Sequence, residues 1–195
     1  MSENIKPATD TLARIISEVG DAQLGDPTPC AGTTVADLLD HVSGLCLAFA
    51  AAAAKDQAAG GQAPSPDGSH LAPEWRSEIP ARLARLAAAW QDDAAWSGTT
   101  MAGGLQMPAE VAGQVAVNEV IVHGWDIAAA TGQQYSCDPA LVEVAYGFVQ
   151  PAVAQNPTGT PGLFGPPVSV PVNAPVLDRL IGLTGRDPSW HPRPS

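Results

Sequence analysis

The sequence predicts an all-α fold, a four-helix bundle with short additional helices and a Pro/Gly-rich C-terminal segment. Three observations carry that reading. Apolar residues recur at helical spacing in separate stretches, as in Leu12, Ile15, Ile16 and Val19, and again in Ile79, Leu83, Leu86 and Trp90. The stretch from Val115 to Ala128 is apolar on nearly every side, which marks a helix buried all round. The composition is alanine-rich and weakly charged, 45% hydrophobic against 15% Asp, Glu, Lys and Arg, and such chains suit closely packed helices. At 195 residues the chain reads as one domain, 1–195, with enough length for a substantial core.

The elements follow in order. The first helix is expected over residues 8–19, on the stripe Leu12, Ile15, Ile16 and Val19. Residues 26–32 are a turn-rich connector. Thr33 or Thr34 can cap the second helix, and Asp37 stands three residues after Thr34 as a partner for a capping box. That helix carries His41 and runs through the alanines to residue 59, and the Gly, Pro and Ser of 60–69 form a loop. The third helix covers 73–92. Residues 96–107 are a turn-rich link, with a hairpin about Gly103-Gly104 as one reading. Pro108 suits the first turn of a fourth helix, which ends at Thr131-Gly132, where glycine suits a C-cap. Asp138-Pro139 opens a fifth helix to residue 153. Residues 156–171 hold too much Pro and Gly for regular structure, and a last helix spans 175–184, closed by Gly185.

The fourth helix carries the chemistry. Glu119 and His123 stand four residues apart, which stacks both side chains on one face, about one turn apart. A carboxylate among so many apolar residues costs several kcal/mol unless a cation or strong donors compensate it. A divalent metal shared by Glu119 and His123 would do so. A catalytic zinc site uses about three protein ligands and one open position. Of the four histidines, His70 lies in a loop-like stretch and His191 in the Pro-rich tail. His41 instead shares a helical stripe with Leu38, Val42, Leu45 and Phe49, so it points inward from a second helix and can meet Glu119 and His123 in the core. Two plainer readings stand beside this one: a hydrogen-bonded core histidine at His41, and a hydrogen-bonded Glu119–His123 pair. Asp126, three residues after His123, could accept the ligand's second N–H, or could serve a salt bridge or helix end. Trp125 reads as packing, Cys30 as structural and Cys46 as core.

Composition excludes several functions. Nine Lys and Arg against twenty Asp and Glu give a net charge of −11, which argues against nucleic acid as partner. No stretch is read as reaching the ~18 apolar residues that span a bilayer, and the polar N-terminus lacks a signal-peptide core. The three cysteines are far apart and odd in number, so a disulfide framework is not expected and a reducing cytoplasm fits. A homodimer is compatible with the chain, although no interface can be read from it.

Several segments resemble a known group. Thr28-Pro29-Cys30-Ala31-Gly32, Asp37-Leu38-Leu39-Asp40-His41, Glu119 through Ala128 with its His123-Gly124-Trp125-Asp126, and Ala130-Thr131-Gly132-Gln133 look like metal-binding proteins of the DinB-like superfamily. The metal-binding domain of mycothiol-dependent maleylpyruvate isomerase is a relative of that group. Phe164 to Val168 and Leu180 to Pro188 fit as well, so the likeness runs from about Ala8 to Trp190. It implies a four-helix core with a divalent metal, expected to be zinc, on His41, Glu119 and His123, and use of the thiol mycothiol by some members. The family often has Trp two residues after the turn where this chain reads Gly32-Thr33-Thr34. The isomerase relative carries a separate C-terminal domain, for which 195 residues leave no room, so isomerase activity itself is not expected.

Zinc with three protein ligands keeps one position for water or a thiolate, and lowers the pKa of a bound thiol. The expected activity is thiol-dependent S-transfer, with mycothiol as co-substrate and an electrophilic small molecule as acceptor. A non-catalytic metal- or ligand-binding bundle is the alternative. Ni2+, Fe2+ and Mn2+ are also compatible with His and Glu ligands. A hydrolytic site using bound water lacks an obvious separate base.

Overall fold

Helix α4 (Ala109–Thr131) is the longest element, and its residues from Ala116 to Ala128 are buried except at Glu119, which is partly covered. It packs in a four-helix core with α1 (Lys6–Ser17), α2 (Val35–Ala53) and α3 (Trp75–Ala89). Both α1 and α2 pack against both α3 and α4, so α1 and α2 occupy opposite corners of the bundle. The computed structural model describes residues 3–56, 63–160 and 164–192. Leu12, Ile15 and Ile16 from α1, Leu38 and Leu39 from α2, Ile79 and Leu83 from α3, and Val117, Ile121 and Ile127 from α4 are fully buried in one core.

The all-α expectation needs one correction. The link before α4 forms an antiparallel hairpin of β1 (Thr99–Ala102) and β2 (Leu105–Pro108). Its turn is Gly103-Gly104 with φ of 58° and 77°, a pair of positive values that glycine adopts without strain and that right-twisting two-residue hairpins demand. The hairpin rests on α2 and α4, where the Thr100 hydroxyl donates to the Ala52 carbonyl at 2.7 Å. The two additional helices fall close to their expected bounds, although the first of them is not short. α5 (Pro139–Gln155) is a full 17 residues and lies on α4, while the short α6 (Val176–Leu183) lies on α5.

Helix ends shift for local reasons. At the start of α2, Thr34 N–H donates to the Asp37 carboxylate at 2.8 Å, and Asp37 N–H donates to the Thr34 hydroxyl at 3.3 Å, the reciprocal box that the spacing predicts. α2 stops at Ala53 and not at residue 59, and Lys55 turns left-handed at φ 58°. The last part of the expected extension, 57–59, lies outside the described residues, as do 60–62 of the loop. α1 begins earlier, at Lys6 with Pro7 in its first turn, and α3 is shorter than the periodicity suggests. Pro108 precedes α4 as its N-cap, and Gly132 closes the helix at φ 71°. α2 is long and apolar enough to cross a membrane by length and composition, contrary to the sequence expectation, but here it packs within the bundle.

Candidate metal centre

The α-helical repeat brings Glu119 and His123 together as spacing requires: Glu119 Oε2 lies 3.0 Å from His123 Nε2. α2 delivers His41 to the same place. One donor atom from each of His41, Glu119 and His123 lies within 4.8 Å of the other two. The two imidazoles meet edge to face, with centroids 5.0 Å apart and planes at 88°. His123 is buried, and the Glu119 side chain exposes 15% of its surface.

Each imidazole has its other nitrogen occupied. His41 Nδ1 stands 2.8 Å from the Pro64 carbonyl, which can only accept, so Nδ1 carries the proton and Nε2 keeps its lone pair for the cluster. His123 Nδ1 donates to Asp126 Oδ2 at 3.1 Å. Asp126 is wholly buried and is held in turn by Arg186, through Nε to Oδ1 at 3.1 Å and Nη2 to Oδ2 at 2.9 Å. This two-point guanidinium–carboxylate pair is the strong form of such contacts. The third arm of Arg186 donates to the Thr184 carbonyl at 2.9 Å. Arg186 reaches the site because α6 ends in a tight turn at Gly185, φ 86°, where a side chain would sit 2.9 Å from the Gly165 Cα.

Sequence reasoning missed Arg186 and Pro64. Arg186 lies 60 residues beyond Asp126, and no periodicity joins them. Its one signal was that it follows a helix-closing glycine in a chain with few basic residues. The Pro64 contact is made by a backbone carbonyl, which any residue type carries. Cys30 lies in the loop ahead of α2. Its half-buried thiol feels the charges of Arg186, Asp126 and Glu119, so its loop folds back beside the cluster. Burial, partly opposed by Arg186, pushes that thiol up. Trp125 packs in the core, while His70 and His191 are exposed and apart from the cluster.

The electrostatics set protonation. Burial and the neighbouring His123 hold His41 below the usual histidine range, against the pull of Glu119, so it is neutral. Burial opposes the charged form of His123, but its hydrogen bonds to Asp126 and Glu119 outweigh that and raise it to about 9. Burial works to raise Glu119 as well, yet its bond with His123 and the charges of His123, His41 and Arg186 hold it below the ordinary range. Asp126 is held low against its burial by Arg186 and His123. Two imidazoles, one carboxylate and a backing acceptor behind each ring are a donor set that suits a divalent transition metal. Beside Glu119, a cavity of about 10 Å³ lined by Leu12, Val42, Phe49 and Leu86 has room for about one water.

The comparisons with known proteins meet at this geometry. Residues 5–128 match the family model described as the mycothiol maleylpyruvate isomerase N-terminal domain. This chain belongs to that family. The matched region contains His41, Glu119, His123 and Asp126, and stops short of Arg186. Two uncharacterized proteins from Mycobacterium tuberculosis strains, MT0763 and Rv0738, are each 33% identical over 190 residues, covering 92% of this chain and 93% of theirs. Among solved structures, a histidine-to-alanine mutant of the mycothiol-dependent maleylpyruvate isomerase superposes with a TM-score of 0.52. It is 21% identical, over 79% of this chain and 68% of that one, a likeness of fold.

Proposed function

We propose that this protein holds a divalent metal, zinc foremost, on His41, Glu119 and His123, and transfers the sulfur of a small thiol to an electrophilic small molecule. The observation that carries the reading is the convergence of three donor atoms within 4.8 Å, with each ring's second nitrogen already bonded elsewhere. Ligand histidines almost always show that backing, which fixes the tautomer and turns the lone pair inward. Membership of a family described by a mycothiol enzyme supports mycothiol as the thiol. Three free cysteines are in keeping with a reducing cytoplasm as its place of action.

When bound, the cation would favour the thiolate over the thiol at neutral pH. His41, and His123 once it gives up the proton it shares with Glu119, would present lone pairs, and Glu119 would present one carboxylate oxygen that tempers the site's charge. Asp126 and Arg186 keep the His123 ring oriented. In the transfer, the thiol proton leaves to solvent, a carbon–sulfur bond forms, and the leaving group departs with its bonding electron pair.

Binding without catalysis is a second reading, favoured by the crowding over the cluster. The His123 side chain exposes 8% of its surface, and the neighbouring cavity admits about one water. Metal analysis of protein purified without added metal, with His41→Ala and Glu119→Gln beside it, tests the ligand set. Each substitution should sharply reduce bound metal, and full occupancy in both would refute the assignment. Incubation with mycothiol and a chloronitrobenzene separates the two readings. Conjugate above the metal-stripped control supports transfer, and none supports the binder.

A further inference from the structure

Gly44 stands three residues after His41 on α2, and its backbone is ordinary helix, so nothing in its conformation calls for glycine. What calls for it is a neighbour. A Cβ at position 44 would lie 2.6 Å from Pro64 Cβ and 3.0 Å from Pro64 Cγ. Pro64 is the residue whose carbonyl receives the His41 Nδ1 proton at 2.8 Å. The missing side chain therefore lets that carbonyl come close enough to His41 to fix the ring.

The segment carrying Pro64 is tied to α2 at one end and runs close to the hairpin turn at the other. Gly68 N–H donates to Asp37 Oδ1 at 2.7 Å, and a Cβ on Gly68 would lie 2.8 Å from Ala36 Cβ. At the other end, Ala63 Cβ lies 3.7 Å from the position a Cβ would take at Gly103, in the hairpin turn. Asp37 thus does two jobs, closing the capping box with one oxygen and anchoring this strap with the other. The strap crosses α2 over the turn that holds His41.

We infer that Gly44 is a positioning residue for the candidate metal centre: by admitting the 63–68 strap against α2, it lets the Pro64 carbonyl lock His41 in the tautomer that offers Nε2 to the cluster. The inference rests on the metal-binding reading above, and it concerns how the site is kept ready. Gly44 touches neither a metal nor a substrate. Its effect runs through Pro64 to one imidazole.

A double-mutant cycle tests it, because Pro64→Gly removes both clashing atoms and keeps the carbonyl. Zn2+ affinity is measured by chelator competition, and the His41 tautomer by ¹⁵N imidazole shifts in the metal-free protein. Gly44→Ala should weaken Zn2+ binding by about 10- to 100-fold, the usual effect of disturbing a ligand's backing partner. It should also convert the single His41 tautomer to a mixture while the protein stays folded, since alanine's advantage over glycine in a helix interior offsets part of the cost of displacing Pro64. On the Pro64→Gly background the same change should cost less than about threefold. Equal affinity and an unchanged tautomer in Gly44→Ala would overturn the inference, as would an undiminished loss on the Pro64→Gly background. Should the wild-type protein take up no Zn2+, the metal reading fails, and the tautomer measurement alone decides the role of Gly44.

Discussion

Loading a divalent ion onto the cluster should force His123 to give up a proton, and the structure sets how much that costs. Asp126 and Glu119 hold the ring from both sides and raise it to about 9, so it is protonated at pH 7. His41 is already neutral and Glu119 already ionised, because both are held below their ordinary ranges. Only His123 must therefore change state. Metal binding at pH 7 should release close to one proton, and affinity should rise about tenfold per pH unit until it levels near pH 9. The penalty at pH 7 is roughly two pH units, on the order of a hundredfold in affinity. The sign is fixed by the direction of the shift: protons compete with the metal below 9 and stop competing above it. Calorimetric titration with Zn2+ at pH 7, in buffers of different ionisation enthalpy, counts the released protons. Chelator competition from pH 6.5 to 8 gives the slope. Release near zero with affinity flat across that range would refute the reasoning.

Two further outcomes follow from the same network. Arg186→Gln leaves the wholly buried Asp126 without its guanidinium, and should cost about 3–5 kcal/mol of stability in urea unfolding; a loss under about 1 kcal/mol would remove Arg186 from the account. In the metal-free protein, the raised His123 contributes stability that is complete below its ordinary value of 6.5 and is lost as pH rises through about 9. Its melting temperature should therefore fall several degrees between pH 7 and 9.5, with a clearly smaller fall in His123→Gln; equal falls in both would count against the clamp.

What could be read from the sequence was what is local. Glu119, His123 and Asp126 lie within eight residues on one helix, so helical geometry alone fixes their mutual placement. The capping box at Thr34 and Asp37 is local in the same sense. His41 could be reached because the histidines are few and, of the three besides His123, it alone lies on an apolar helical stripe. The hairpin was one option among turns, since Gly103-Gly104 permits several backbone paths and packing on α2 and α4 selects one. The alanines after Phe49 favour helix at every position, so composition gave no stop signal, and the left-handed turn at Lys55 ended the helix earlier than expected. Arg186, Pro64 and Gly44 were illegible for a common reason. Each matters through a contact between distant segments, made by a carbonyl, by a missing side chain or by an arginine on the far side of a Pro/Gly-rich stretch.

The charge balance at the cluster connects the structure to the proposed chemistry. Without metal, the negative charges of Glu119 and Asp126 are matched by Arg186 and protonated His123, so the buried group is neutral. That balance removes the need for a cation to explain the carboxylates, and so weakens the simplest sequence argument for a metal. It also adds a constraint. A divalent ion that displaces one proton leaves the group with a single net positive charge in a region of low exposure, where an uncompensated charge is costly. A neutral fourth ligand such as water would leave that charge in place, whereas an anion would cancel it. Arg186 is what tips the count: were Asp126 paired with His123 alone, the loaded site would already be neutral and would gain nothing from an anionic partner. If the cluster holds a divalent ion as proposed, the charge behind His123 would therefore favour an anionic fourth ligand, a thiolate among them, over a neutral one, and it would do so through a residue in the C-terminal segment, outside the region that defines the family match.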